Sequence, residues 1–156
     1  MQTEYICSTP LWRNEGPRFN CVFVGINLDN PEETGISSYD ITYVLMFFSF
    51  TFQGVLYPCA AIWWFNKIGD SPNEDTGMWM VHPDFLPNHS PHTTSWCSSS
   101  RVHCTLSDTV YHTAHLAPIY GSKEIPNDIK PYHSYDTFQA FFVNKYAGYH
   151  AFKIAG

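Results

Sequence analysis

The longest apolar stretch of the chain, residues 41–65, contains no charged side chain. It is rich in aromatic and β-branched residues, which are typical of strands. Gln53 and Gly54 interrupt it near the middle, where the chain can reverse into an antiparallel partner. The pattern therefore predicts a long hairpin with strands at 40–52 and 55–65. Because both strands are nearly continuous apolar runs rather than alternations, both of their faces are expected to be covered.

The same stretch is also long enough for a membrane-spanning helix, which needs about 20 apolar residues. Pro58 and the Gln53-Gly54 pair would break such a helix, and Ser49 and Thr51 would place polar groups near the bilayer centre. A buried hairpin is therefore favoured over a membrane-associated segment at 41–65, and no membrane partner is expected.

Shorter apolar segments predict three further strands, at 20–24, 77–82 and 101–106. Residues 1–18 are polar and contain proline, so a poorly ordered N-terminal tail is expected there.

The remaining segments are less regular. Residues 83–100 combine proline, histidine and a serine run, which indicates a flexible loop. Ser107 and Asp108 are expected to cap a short helical turn that reaches Leu116. Residues 135–152 mix helical and strand periodicity, and we expect a strand through Val143 followed by a helical turn.

The composition supports one folded unit. A chain of 156 residues fits a single domain, and 44% hydrophobic residues against 14% charged ones exclude general disorder. We therefore expect a single β-rich domain over 19–156. Its fold class is mainly β: a small, partly open barrel of the SH3-like or BAH-like kind, with irregular loops and one or two short helical turns.

The charge balance bears on partners and location. The net charge is −6, and Arg13 and Arg18 are the only basic residues that lie near each other in the sequence. Nucleic-acid binding is therefore disfavoured, because proteins that bind phosphates normally present a basic patch. The five cysteines are widely spaced and no secretory signal is apparent, so reduced thiols and an intracellular location are expected.

Residues able to carry chemistry are present without a recognisable motif. Asp70, Glu74 and Asp75 share one loop, but their spacing does not match a calcium-binding loop. Several histidines and cysteines could offer zinc ligands, although the paired-cysteine knuckle of structural zinc sites is missing. They are His89, His92, Cys97, His103, Cys104, His112 and His115. We predict no catalytic residue, no metal site, no cofactor and no small-molecule substrate.

The aromatic residues of the long hairpin are the most interesting candidates for binding. Two adjacent tryptophans cannot both point inward from a regular strand, so one of them is available to a ligand. An aromatic cage for a methylated ammonium group is one hypothesis; tryptophans that simply cover the barrel ends are the favoured alternative. The candidate cage comprises Tyr57, Trp63, Trp64 and Trp79 with Asp70, Glu74 and Asp75.

Four ordered blocks carry a family resemblance. They read GVLYPCAAIWWF, GDSPNEDTGMW, AHLAPIYG and YHSYDTFQAFFVNKYAGYHAF. From about Arg18 onward the chain resembles the C-terminal accessory region of fungal Plavaka-type, CACTA-like DNA transposases, and it is similar to the corresponding region of KDZ transposases.

The resemblance implies a non-catalytic accessory module of a transposon-encoded transposase, with a protein or chromatin partner and a nuclear location. It carries over no catalytic residue, because nothing here matches the RNase H-like domain of those enzymes. Residues 93–105 depart from the family pattern, which leaves their strand character open. A DNA-binding accessory domain and a degenerate remnant without function are the alternatives.

Overall fold

The computed structural model describes residues 4–26, 35–84, 103–122 and 124–156. Within them are ten strands, two short helices and four 3-10 turns. The strands are β1 Ser8–Trp12, β2 Gly16–Phe19, β3 Cys21–Gly25, β4 Tyr39–Phe52, β5 Val55–Ile68, β6 Met80–Pro83, β7 His103–Leu106, β8 Val110–Ala114, β9 Leu116–Pro118 and β10 Phe141–Val143. The helices are α1 Ser134–Thr137 and α2 Tyr149–Ala155.

Eight of the strands form one sheet that curls almost into a barrel. Its order is β8-β3-β4-β5-β6-β10-β9, and β7 pairs with β5 beside this path. The two end strands, β8 and β9, are separated in the chain by His115 alone, so the sheet must bring its ends together. The prediction of a mainly β fold with a small, partly open barrel and short helical turns is confirmed.

The β4–β5 hairpin is the centre of this sheet, as the apolar pattern predicts. Eleven residue pairs join the two strands, from Ile41–Phe65 to Phe52–Val55. Gln53 and Gly54 have φ angles of 48° and 78°, which is the left-handed geometry of a two-residue hairpin turn. A bulge at Leu45 interrupts the register between Val44 and Met46, and bulges bend the strand that carries them.

Two clusters of buried side chains lie on opposite faces of the sheet. The inner cluster is contributed by many elements, among them Phe23, Phe65 and Phe141 with α2 residue Ile154. The outer cluster consists of Val22, Val24, Val44, Ala60 and Ile62, against which Ile6 and Trp64 pack. Alternate residues of β3 therefore enter different clusters, and the central strands are covered on both faces.

That coverage stops halfway along the hairpin, which corrects one expectation. Beyond the bulge, the β4 sequence alternates as Phe48-Ser49-Phe50-Thr51-Phe52, and these residues are half-buried or exposed. Phe50 and Phe52 keep 49% and 58% of their surface exposed. The far end of the hairpin therefore projects from the barrel, because the neighbouring strands are shorter than β4 and β5.

Two further expectations are corrected. The segment predicted as a poorly ordered tail over residues 1–18 contains β1 and most of β2, which pair antiparallel. The helical turn predicted from Ser107 to Leu116 is a short 3-10 turn followed by strands β8 and β9. Ser107 and Asp108 are typical helix-capping residues, but the residues after them pair with β3 as strand β8. Sheet pairing therefore outweighs the local preference for a helix here.

The C-terminal segment agrees with its prediction only in part. A strand does end at Val143 and a helix does follow it, but that strand begins at Phe141, and residues 135–137 belong to α1 instead. Strand β7 begins at His103, so part of the stretch at 93–105 does pair in the sheet. The loop predicted at 83–100 and the candidate ligands His89, His92 and Cys97 lie almost wholly outside the described residues.

Candidate functional site

A cavity of about 290 Å³ opens at the base of the projecting hairpin. Three parts of the fold enclose it: the β1–β2 hairpin, the middle of β4 and β5, and the turn that contains α1. Its aromatic wall comprises Phe19, Tyr43, Trp63, Phe65, Tyr132 and Tyr135. The remaining lining residues are Pro10, Pro17, Leu45, Trp64, Pro83 and Asp136. The volume is that of a small ligand site, and the wall is almost wholly apolar.

The aromatic rings of the wall contact one another in a fixed arrangement. Tyr43 and Trp63 are cross-strand partners, and their rings are nearly parallel, with centroids 6.2 Å apart. Tyr135 meets Tyr43 edge-on at 4.9 Å, and Phe19 does so at 5.5 Å. Edge-to-face and offset contacts are the favoured geometries for aromatic pairs, so these ring contacts stabilise the arrangement of the wall.

The two buried tyrosine hydroxyls of this wall are neutral. Burial, with Cys21 and Asp136 nearby, raises the pKa of Tyr43. Burial and the neighbouring Cys21 also raise the pKa of Tyr135. Burial raises the pKa of the Cys21 thiol to about 12, against a smaller opposing effect of its hydrogen bond with Tyr135. Cys21 therefore stays a protonated thiol at neutral pH, and only a thiolate is nucleophilic.

Asp136 is the single carboxylate of the cavity lining. Its side chain remains exposed, which puts it at the mouth rather than at the floor. Burial of the carboxyl raises the pKa of Asp136, and the charge of His133 opposes this in part. An ionised Asp136 is thus partly desolvated and only in part compensated by His133, which makes it a potential partner for a positively charged ligand.

Tyr132 is held against the glycine of β2. A Cβ atom added at Gly16 would lie 2.5 Å from Cε1 of the Tyr132 ring, closer than two carbon atoms can approach. The ring therefore occupies space that any other residue at position 16 would take. This contact ties the α1 turn to the β1–β2 hairpin on one side of the cavity.

Of the seven residues that the sequence suggests as an aromatic cage, only two line the cavity. Trp63 and Trp64 line the cavity, although Trp64 also packs against the outer cluster, as expected for neighbours on one strand. Tyr57 lies on the projecting hairpin, where its ring stacks on Phe50.

The rest of the proposed cage lies elsewhere. Trp79 packs against the inner cluster, and its carbonyl accepts a hydrogen bond from the Val143 amide. Asp70, Glu74 and Asp75 are exposed in the loop after β5 and do not line the cavity. That loop is organised by its own hydrogen bonds, in which Asn73 Oδ1 accepts from the backbone and hydroxyl of Thr76.

Sequence reasoning missed most of the cavity wall. Phe19, Tyr43, Tyr132, Tyr135 and Asp136 come from three separate parts of the chain. The tyrosines and the aspartate of the α1 turn do stand together in the sequence YHSYDTF, which is a local signal that could have been weighed. Their meeting with Tyr43 and Trp63 depends on long-range packing and has no local signature.

A second polar cluster lies away from the cavity. His112 Nδ1 is 2.9 Å from Glu4 Oε2, and the His150 ring stacks on the His112 ring at 3.9 Å. Burial would raise the pKa of Glu4, but hydrogen bonds from Thr113 and His112 outweigh it and lower that pKa. Across residues 4–26, 35–84, 103–122 and 124–156, no group of three or more potential ligands is placed to hold a metal ion.

Comparison with protein-family models, with curated proteins and with solved structures finds no match to this chain. In the part of the chain that the structure describes, no helix has the length and apolar character needed to cross a membrane. The cavity and the exposed surfaces are therefore the features of the molecule that bear on its function.

Proposed function

We propose that this chain is a non-catalytic binding module that takes a methylated ammonium group of a protein partner into the aromatic cavity. The observation that carries the proposal is the combination of aromatic rings on several sides with one carboxylate, Asp136, at the mouth. Aromatic faces attract cations through the ring quadrupole, by about 0.5–2 kcal/mol per contact. Methylation makes the ammonium group larger and less hydrated, so that it suits an apolar wall.

The size and charge of the cavity favour this ligand over its competitors. About 290 Å³ accommodates one side-chain head group rather than a folded surface. A strongly anionic ligand would meet Asp136 and a net charge of −6, with no basic residue in the lining. Of the nearby basic residues, Arg18 lies over the Trp12 ring with its guanidinium carbon 4.5 Å from the centroid, which argues against a phosphate-binding role.

The test is a titration of the full chain in which binding is measured by calorimetry and by tryptophan fluorescence. Fluorescence is suitable because Trp63 lines the cavity. The probes are a peptide containing trimethyllysine, the same peptide with unmodified lysine, and a neutral analogue in which carbon replaces the quaternary nitrogen. We expect the trimethyllysine peptide to bind at least tenfold more tightly than either comparison peptide, which is about 1.4 kcal/mol. Equal binding of the neutral analogue, or no saturable signal, would refute the proposal.

Two variants locate the binding to the cavity. Asp136→Asn removes the carboxylate and is expected to weaken binding about tenfold. Asp128→Asn makes the same change at an exposed position outside the lining and should bind like the unmodified protein. Gly16→Ala must displace Tyr132, so it should weaken binding without touching the ligand. Unchanged affinity in both Asp136→Asn and Gly16→Ala would place the ligand elsewhere.

The biological setting that we propose is a transposon-encoded protein that acts in the nucleus on a protein or chromatin partner. Support comes from the four ordered blocks that resemble the accessory region of Plavaka-type transposases. An upstream RNase H-like reading frame flanked by terminal inverted repeats is expected in the genome. Absence of both, or exclusion of a tagged chain from the nucleus, would count against this setting, whereas the cavity titration would be unaffected.

A further inference from the structure

The projecting part of the hairpin, residues 46–59, presents an unusual apolar surface, which we call the arm. Opposite residues of an antiparallel pair share a face, so the register puts Met46, Phe48, Phe50 and Phe52 on the same face as Val55 and Tyr57. Met46, Phe52 and Val55 each keep more than half of their surface exposed. On the other face, Leu56 is 62% exposed. The arm therefore offers apolar side chains on both faces.

The β4 edge of the arm also presents backbone groups to solvent. Phe52 and Val55 flank a two-residue turn, so their backbones form two hydrogen bonds with each other. From this pair onward, hydrogen-bonded pairs alternate with pairs whose backbone groups point away from the partner strand. The N–H and C=O groups of Phe47, Ser49 and Thr51 accordingly point away from β5. Within the described ranges, β3 pairs with β4 on this edge only as far as Tyr43. The Val44 amide donates to the Asn20 carbonyl, and the Ser8 hydroxyl of β1 donates to the Leu45 carbonyl, so the edge that remains for another strand begins after Leu45.

The opposite edge of the arm is protected. There β7 pairs with β5 from Cys59 to Ile62, and Pro58 supplies no N–H at the adjoining outward position. Proline is one of the devices that keep edge strands from pairing with other chains. The β4 edge has neither proline nor charge from Met46 to Phe52, so it is the edge that can accept another strand.

We propose that two copies of this chain pair antiparallel along the β4 edges of their arms, with the two-fold axis beside Ser49. Ser49 then faces Ser49 of the second copy, and Phe47 faces Thr51, which are the residues whose backbone groups point outward. Phe48 of one copy lies opposite Phe50 of the other, in a position where cross-strand side chains are closest. The edge is thus complementary to itself, as a two-fold interface requires.

A second copy fits this surface better than a membrane or a charged partner. The arm has no basic residue to contact anionic lipid and no charge to pair with a charged protein. The exposed apolar side chains of β4 offer roughly 400 Å² per copy, taking about 200 Å² for a whole large side chain; they are Met46, Phe47, Phe50 and Phe52. Two copies reach about 800 Å², which is below the roughly 1,200 Å² of a stable specific interface and typical of a weak one. We expect a reversible dimer.

Sedimentation equilibrium of the full chain from about 1 µM to about 1 mM is the first test, because a weak dimer dissociates within that range. Ser49→Pro removes an outward N–H without removing a hydrogen bond inside the hairpin, as Pro58 already does on β5. We expect this variant to raise the dimer dissociation constant at least tenfold. The matched control, Leu56→Pro, removes an outward N–H from the other edge and should leave the dimer intact.

A charge exchange tests the register directly. Ser49→Lys and Ser49→Glu should each be monomeric, because like charges would face each other across the axis. Mixing the two variants should restore a dimer that contains one copy of each. A monomeric unmodified chain at every concentration overturns the proposal, and so does a dimer that survives Ser49→Pro. Binding of the monomer to neutral lipid vesicles through the arm would also overturn it.

Discussion

At the scale of single residues, ionisation of Asp136 has opposite effects on stability and on the proposed binding of a cation. Burial of its carboxyl raises the pKa above the ordinary value, which means that the folded protein holds the ionised form less well than the unfolded chain does. The ionised form is nevertheless the one that would attract a cationic ligand. A group of this kind contributes to binding and subtracts from stability, which is common at functional sites.

The raised pKa of Asp136 determines how this residue makes the stability of the protein depend on pH. Because the folded-state pKa of Asp136 is raised, its contribution is most favourable at low pH and is lost as the pH rises through the raised pKa. Asp136→Asn should therefore melt at a higher temperature than the unmodified protein at about pH 7 and at the same temperature near pH 3. Thermal melts across this range check it, with Asp128→Asn as the matched control. A lower melting temperature for Asp136→Asn at pH 7 would contradict the prediction.

At the scale of elements, the β4–β5 hairpin depends on a turn that few residues can adopt. Gly54 has a φ of 78°, and nothing lies within 4 Å of the position that its Cβ would take. Any effect of a small side chain there comes from the backbone conformation alone, without a steric clash. The hairpin is also the element from which both the cavity wall and the arm are built.

Gly54→Ala should lower the free energy of unfolding by about 1 kcal/mol, which is the cost of the left-handed region for a residue with a Cβ. Gly54→Asn should cost less, because asparagine tolerates that region. Chemical denaturation of the three proteins gives the comparison. Equal stability of the alanine and glycine proteins would show that the turn relaxes to another type.

At the scale of the whole molecule, the inner cluster unites strands that are far apart in the sequence. Phe141 is fully buried, and its strand β10 joins β6 to β9. Its ring contacts those of Phe65 and Tyr135, and Tyr135 lines the cavity. Barrel stability and cavity shape therefore depend on the same packing.

Phe141→Ala should cost about 3–5 kcal/mol of unfolding free energy, which is the usual range for removing a buried phenylalanine ring. Phe142 is the matched control, since it is the next residue of the same strand and only half-buried. Phe142→Ala should cost clearly less. Denaturant unfolding measures the free energy of unfolding of both variants. Similar decreases in the two variants would mean that the inner cluster is not the main source of stability.

Sequence reasoning succeeded for the hairpin because its signals are local. A charge-free run of strand-forming residues and a Gln-Gly pair at its middle place two strands and a turn with no knowledge of the neighbours. The same reasoning failed at Ser107-Asp108, where a local cap signal was weaker than pairing of β8 with β3. It also failed at residues 1–18, since the pairing of β1 with β2 has little apolar pattern to announce it.

The candidate site was predicted only in part. Trp63 and Trp64 both line the cavity, although adjacent residues of a strand face opposite sides, and Trp64 packs against the outer cluster as well. The sequence suggested three acidic residues as their partners because they follow closely in the chain: Asp70, Glu74 and Asp75. In the structure these residues lie in an exposed loop after the end of β5. Asp136 supplies the carboxylate instead, from a turn more than 70 positions after Trp64 in the chain.

The sequence by itself determined which segments become strands and where the long hairpin turns, since side-chain periodicity and turn chemistry act over a few residues. Only the tertiary structure decided which parts of those strands are covered. Residues 41–44 and 46–52 are both uncharged and rich in strand-forming side chains, but β3 pairs with β4 only as far as Tyr43, whereas β5 pairs with both groups. Coverage depends on the lengths of neighbouring strands, and that is why the cavity and the arm have no signature in the apolar pattern.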